Sequence, residues 1–208
     1  MKKLLTALLA LAICLQMNAQ YDPEALTVLD AMSANYKKVE AFTAEFSQKL
    51  TNESAQLDET ISGKISVKGE KFVLDVAGQK IFNNGTDVFT YNEELSEVTI
   101  STNEPDEAEI SINNVYDLYK KGFKYGLMAT QANGDRVIEL DPESRDKSYF
   151  KIRMVINVKD ELKAFTVFER TGNKYLYSID SFNPTSISDN YFTFDTSKYP
   201  NVEVIDFR

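Results

Sequence analysis

The sequence predicts an α+β protein built around one large, strongly curved antiparallel sheet. Three observations carry that expectation. Apolar and polar residues alternate over about a dozen short segments, which is the signature of half-buried strands. Only two stretches, both short, carry helical spacing. The alternating segments follow one another through brief turns rich in Gly, Asn and Asp, which joins neighbours as antiparallel hairpins.

The chain opens with Met1-Lys2-Lys3, an apolar run from Leu4 to Leu15, and the small-residue exit Met17-Asn18-Ala19. A basic start, a short apolar core and a small-residue exit predict a secretory signal peptide over residues 1–20, cleaved after Ala19 or Gln20. The run is shorter than the roughly 20 residues a membrane span needs. Cys14 is preceded by Ile13, where a lipid-attachment motif wants a small residue, so it reads as part of the removed core. The mature chain is then free of cysteine and relies on an ordinary apolar core, and residues 21–208 fit a single domain.

Asp22-Pro23-Glu24 is a helix start, with an N-cap acceptor, proline at the first helical position and an acid in the first turn. Ala25, Val28, Leu29, Met32, Tyr36 and Val39 follow as one apolar stripe. Val39 to Leu50 is the first strand: Phe42, Ala44, Phe46, Gln48 and Leu50 share one face, and Thr43, Glu45, Ser47 and Lys49 the other. Thr51 to Glu59 reads as a polar turn region. Ile61, Gly63, Ile65 and Val67 alternate next, Lys68-Gly69-Glu70-Lys71 turns, and Phe72, Leu74 and Val76 return with Val73 on the other side. Gly78 breaks the pattern, and Ile81-Phe82 leads into the hairpin signal Asn83-Asn84-Gly85. Val88 to Tyr91 returns, and Ser96, Val98 and Ile100 alternate after a further turn.

Thr102 to Glu109 carries four acids and no periodicity, and reads as an exposed loop. Ser111 is the expected cap of a second short helix through Ile112, Val115, Leu118 and Tyr119, which stops at Lys120-Lys121-Gly122. Strands follow through Phe123, Tyr125 and Leu127, then Val137 to Leu140. Phe150, Ile152, Met154, Ile156 and Val158 make the longest clean apolar face. Ala164 to Arg170, then Tyr175, Tyr177 and Ile179, continue the sheet, and Phe192, Phe194, Val202, Val204 and Ile205 close it.

Composition excludes several chemistries. The chain has no histidine and no tryptophan, and its one cysteine lies in the signal segment. Serine and cysteine triads, the commonest general base, and histidine or thiolate metal sites are therefore absent from the mature chain. Without Lys2 and Lys3, 21 basic residues face 32 acidic ones, a mature net charge of −11. That balance argues against nucleic acid and against anionic lipid surfaces. No phosphate loop or calcium loop is present, and no cofactor is expected. Glu93, Glu94 and Glu97 are the candidate carboxylates for a hydrolase, but they lie in an exposed turn and at a strand start, where acids are ordinarily solvated.

A curled sheet with two short helices in its mouth leaves either an apolar hollow for a greasy ligand or a solid core. The order of blocks resembles the bacterial outer-membrane lipoprotein carrier family, the LolA-like proteins. The blocks are V-E-A-F-T-A-E-F-S-Q-K-L (39–50), G-K-I-S-V-K-G-E-K-F (63–72), N-N-G-T-D-V-F-T-Y-N (83–92), G-D-R-V-I-E-L-D-P (134–142), F-K-I-R-M-V-I-N (150–157) and F-T-F-D (192–195). The resemblance implies an unclosed β-barrel of about 11 strands with helices as a lid over its concave apolar face. It implies a periplasmic, non-enzymatic carrier, expected to be a monomer, that shields the acyl chains of lipoproteins and moves them from the inner to the outer membrane. Its partners would be acylated lipoproteins, an inner-membrane lipoprotein-releasing ABC transporter and an outer-membrane acceptor. By motif position the acyl-chain hollow would be lined by Phe42, Phe46, Phe72, Leu74, Ile81, Phe89 and Tyr91, with Ile152 and Met154 added from the longest apolar face. One departure stands out: Gly69 occupies the place of a family arginine that holds the lid closed, leaving Lys68 or Lys71 to substitute. A binder of a different lipid or glycolipid on the same fold is the alternative reading.

Overall fold

The computed structural model describes residues 21–104 and 110–208. The expected signal peptide and residues 105–109 of the acidic loop lie outside them. Helix α1 spans Pro23–Lys37, and Asp22 caps it by accepting the Glu24 N–H at 2.9 Å. Among the described residues twelve strands follow: β1 (Ala41–Asn52), β2 (Leu57–Lys68), β3 (Lys71–Val76), β4 (Gln79–Asn83), β5 (Asp87–Asn92), β6 (Glu97–Thr102), β7 (Phe123–Thr130), β8 (Arg136–Pro142), β9 (Tyr149–Ile156), β10 (Leu162–Glu169), β11 (Lys174–Pro184) and β12 (Glu203–Asp206).

All twelve belong to one sheet in the order β12-β6-β5-β4-β3-β2-β1-β11-β10-β9-β8-β7. The sheet is antiparallel except where β12 runs parallel to β6. Its margins β12 and β7 are not paired with one another, so it is curled but unclosed. The chain leaves β6 near one margin and re-enters at β7 on the other, and residues 103–104 and 110–122 of the crossing segment between them are described. Ile110, Ile112, Val115, Tyr116, Leu118 and Tyr119 of that segment are buried in the same apolar cluster as α1 and the strands beneath. This connection and α1 together form the lid.

Two apolar clusters lie on opposite faces. The larger joins α1, the crossing segment and the facing sides of β1, β2 and β7–β10. The smaller joins Val73, Phe82, Phe89, Tyr91, Val98 and Ile100 to Phe192 and Phe194. Cross-strand partners share a face, and Val73 pairs with Phe82, Phe82 with Phe89, and Phe89 with Ile100. The C-terminal segment 185–202 is therefore a strap over the outer side of β3–β6. It carries short 3-10 helices at Asp189–Phe192 and Thr196–Lys198 before β12 completes the edge.

The twelve strands among the described residues agree with the expected number of about eleven. Several other elements differ from expectation. The polar region 51–59 is mostly strand: β1 and β2 pair out to Asn52 and Leu57, and their exposed ends show no apolar alternation to read. The second helix is a 3-10 helix, Val115–Lys120, with Asn114 rather than Ser111 before it. Phe150 leaves the apolar face and lies 43% exposed. A register shift between Phe168 and Glu169 opposite it turns Tyr149 inward instead.

Candidate functional site

The concave face can be read in rows across the sheet, because residues paired on adjacent strands point the same way. One row runs Leu127–Ile138–Met154–Phe165–Tyr177–Gln48–Ile61, and the next Tyr125–Leu140–Ile152–Val167–Tyr175–Leu50. Towards the other margin the rows are Phe42–Val67–Phe72, Ala44–Ile65–Leu74–Ile81 and Phe46–Gly63–Val76.

The two halves of this face are in different states. Beneath the lid it is solid: Ile138, Leu140, Ile152, Met154 and Phe165 are 0% exposed against Leu29 and Met32 of α1 and the crossing segment. Along β2–β4 it is open. Phe72, Leu74, Val76 and Ile81 are only half-buried, and Leu57 and Ile61 are 38% and 39% exposed. The result is an apolar trough running out from under the lid.

Of the residues the sequence singles out for the hollow, seven lie on this face. Phe42 and Phe46 are buried at the boundary between its halves, Phe72, Leu74 and Ile81 line the open trough, and Ile152 and Met154 form the packed floor under α1. Phe89 and Tyr91 do not join them. They fall on the outer side, where Tyr91 packs on Phe194 and Tyr199 with ring centroids 5.4 and 4.5 Å apart. Strand alternation defines two faces but not which is concave, and on β3–β5 both faces are apolar. Leu57, Ile61, Gln48, Tyr175 and Tyr177 also face the hollow. Gln48 donates to the Tyr177 hydroxyl at 3.0 Å, a polar note in an otherwise apolar wall.

The lid is tied to itself by polar contacts. Asp117 on the 3-10 helix accepts from Ser33 of α1 and pairs with Lys120 at 2.8 Å and Lys37 at 2.9 Å. Burial opposes the Asp117 charge, but Lys120, Ser33 and Lys37 outweigh it and hold the carboxyl far below its ordinary range. Tyr119 donates to Asp30, and Tyr36 stacks on Tyr116 at 3.8 Å. Burial pushes both the Tyr36 and Tyr116 phenols above their usual range. The first residues of α1 are anchored to the sheet margin: Asp22 N–H donates to the Tyr125 carbonyl at 3.1 Å, and Leu127 N–H to Asp22 Oδ2 at 3.0 Å.

Among the described residues, Lys68 and Lys71 form no ion pair with α1 or the crossing segment. Gly69 sits at φ +58° in the β2–β3 turn, a conformation suited to glycine. The two lysines reach Asp189 of the strap at 3.1 and 3.4 Å, and Lys68 also donates to the Ile187 carbonyl at 3.1 Å and pairs with Glu40, in the link between α1 and β1, at 3.7 Å. Lys68 and then Lys71 hold the Asp189 carboxyl below its ordinary range. The cations near the family-arginine position secure the strap, and Asp117 ties the two parts of the lid together. A short-helix aspartate facing a serine of a distant helix leaves no local signal in sequence.

Residues 37–195 match the family described as outer membrane lipoprotein carrier protein LolA. An outer-membrane lipoprotein carrier protein of Actinobacillus succinogenes is 26% identical over 204 residues, covering 94% of this chain and 92% of its own. The protein of that name in Actinobacillus pleuropneumoniae serotype 3 is 24% identical over 206 residues, covering 95% and 93%. Among solved structures, an uncharacterized conserved protein from Thermus thermophilus shares the fold with a TM-score of 0.57 at 10% identity, covering 88% of this chain and 99% of that one.

Proposed function

This chain belongs to the outer-membrane lipoprotein carrier family, and we propose that it shields the acyl chains of lipoproteins in its concave trough while they pass through the periplasm from inner to outer membrane. The observation that carries the reading is the trough of half-buried Phe72, Leu74 and Ile81, continuous with a floor that the lid covers. An apolar surface of that shape, opening from beneath a lid, suits extended hydrocarbon rather than a compact polar ligand.

Energetics set the mode of action. At roughly 0.8 kcal/mol per buried CH₂, one long acyl chain is held in a bilayer by on the order of 10 kcal/mol. Extraction of several chains at a useful rate needs an energy-coupled loader, an inner-membrane ABC transporter in this reading. Delivery needs a hollow that binds only modestly, with an outer-membrane acceptor downstream. Export by a signal peptide over residues 1–20 would bring the carrier to the periplasm.

Native mass spectrometry on the mature protein, purified gently from periplasm, tests the reading. An adduct that proteolysis and lipid analysis identify as an acylated protein is the expected result. A free phospholipid or glycolipid adduct, or failure to take up an added fluorescent acyl probe, would overturn it.

A further inference from the structure

A cleft of about 410 Å³ lies outside the trough, where the lid meets the β7 margin of the sheet. Its walls come from both bodies: Asp30, Tyr119 and Lys120 from the lid, and Tyr21, Tyr125 and Glu143 from the sheet side. Tyr125 ends one row of the concave face at its β7 margin; the other five lie outside the face proposed to hold acyl chains.

The three tyrosines meet as inside corners. Tyr21 and Tyr125 are edge-to-face at 5.6 Å and 78°, and Tyr119 and Tyr125 at 6.3 Å and 82°. Each carboxylate is oriented by a phenol, Glu143 by Tyr21 and Asp30 by Tyr119. Those contacts use Oε1 and Oδ1, leaving Glu143 Oε2 and Asp30 Oδ2 for an occupant. Lys120 also lines the cleft and offsets part of the Asp30 charge, but its ammonium is committed to Asp117 at 2.8 Å and lies over the Tyr119 ring at 5.1 Å. That contact displays the affinity of these ring faces for a cation.

We infer that this cleft binds an organic ammonium group on a short apolar stem. Two oriented carboxylates supply the charge and hydrogen bonds, and the tyrosine corners cover the stem and the cation's flank. The shared chemistry is an alkylammonium, primary as in an ethanolamine headgroup or quaternary as in choline. The inference does not rest on the carrier reading.

The test is a titration of the mature protein with n-butylammonium and with tetramethylammonium chloride, against sodium chloride at matched ionic strength, followed by saturation-transfer NMR. Saturable binding with a Kd on the order of 1–10 mM is expected. The combined isosteric change Asp30→Asn and Glu143→Gln should weaken it roughly tenfold or more. An unchanged thermal midpoint in that variant establishes that the fold is intact. Preference for butylammonium points to a primary amine source, and preference for tetramethylammonium to a quaternary one. No saturable binding of either probe, or equal binding by the double variant, overturns the proposal.

Discussion

Gly63 is a position on the concave floor where a single methyl group tests the architecture. It pairs with Phe46 across β1 and β2, and the Phe46 ring lies over it. A Cβ at residue 63 would stand 2.6 Å from Phe46 Cζ, 2.9 Å from Cε1 and 3.0 Å from the Asp75 carbonyl oxygen, against ordinary contact at 3.4 Å or more. Phe46 is 4% exposed, so its ring has no free space to yield into. Overpacking of this kind costs about 1–3 kcal/mol, while replacing a strand glycine by alanine returns about 0.5–1 kcal/mol. Gly63→Ala should therefore destabilise by about 1–2 kcal/mol. Phe46→Ala alone should cost about 3–5 kcal/mol. In the Phe46→Ala background the ring clash is gone, and adding Gly63→Ala should be close to neutral. The coupling energy from reversible urea unfolding of the four proteins, followed by far-UV circular dichroism, should reach about 1–2 kcal/mol. If the two changes add to within about 0.5 kcal/mol, the ring does not rest on Gly63 and the description of the floor is wrong.

Four further outcomes follow from the same geometry. Asp117→Asn should cost about 0.5–1 kcal/mol at neutral pH, because the carboxylate is over a third exposed, and should speed hydrogen exchange of residues 112–120. The folded carboxyl is held below its unfolded range, so the contribution is present above that range and lost as pH falls through the folded value; variant and parent should converge in strong acid. Glu139 is buried between Lys151 at 2.7 Å and Arg153 at 2.6 Å; burial opposes its charge, but the two cations outweigh that and lower its pKa, so Glu139→Gln should cost about 1–3 kcal/mol at pH 7 by thermal unfolding, with the difference shrinking as pH falls. Phe192→Ala should cost about 3–5 kcal/mol and expose residues 185–202 to limited proteolysis, yet leave acyl-probe uptake unchanged, since the strap lies on the outer face. Met32→Ala, by contrast, removes a fully buried lid side chain and should lower stability by about 2–5 kcal/mol while tightening probe binding, measured by fluorescence titration.

Local chemistry made much of the fold legible. Asp22-Pro23-Glu24 specified the start of α1 to the residue, and the alternation from Phe42 to Leu50 specified β1 and its inward face. Turns that need positive φ, such as Gly69 and Gly78, marked strand ends correctly. What stayed hidden is what depends on distant partners. Whether Phe89 or Thr90 faces the hollow is decided by which way the whole sheet curls, and by a strap much later in the chain that covers Phe89. The inward turn of Tyr149 instead of Phe150 depends on a register shift on the neighbouring strand. The parallel pairing of β12 with β6 joins residues with no local relation. On the concave face, Phe42, Phe46, Phe72, Leu74 and Ile81 could be named from motif position and Ile152 and Met154 from the longest apolar alternation, whereas the Asp117–Ser33 tie could not, because neither residue has a periodic or motif-bound reason to be where it is.

The filled floor bears on how such a hollow can both hold and release cargo. Ala25, Val28, Leu29 and Met32, with Ile112, Val115 and Leu118, bury their side chains under or within the lid. At about 1.5–3 kcal/mol for each of the larger ones, lifting the lid into water would cost on the order of 10 kcal/mol or more. The polar ties around Asp117 add little to that, since exposed pairs contribute about 0–1 kcal/mol each. The lid is thus kept shut mainly by apolar burial, and it opens cheaply only when something equally apolar takes its place. An acyl chain entering along Phe72, Leu74 and Ile81 and displacing lid side chains would exchange one buried hydrocarbon surface for another. The gross attraction of about 10 kcal/mol per chain is then offset by a comparable loss, and the net affinity is small. In the proposed carrier, the solid core at rest and a lipid-holding hollow would be two packings of the same surface close in free energy. The trough along β2–β4 is where exchange between them would begin.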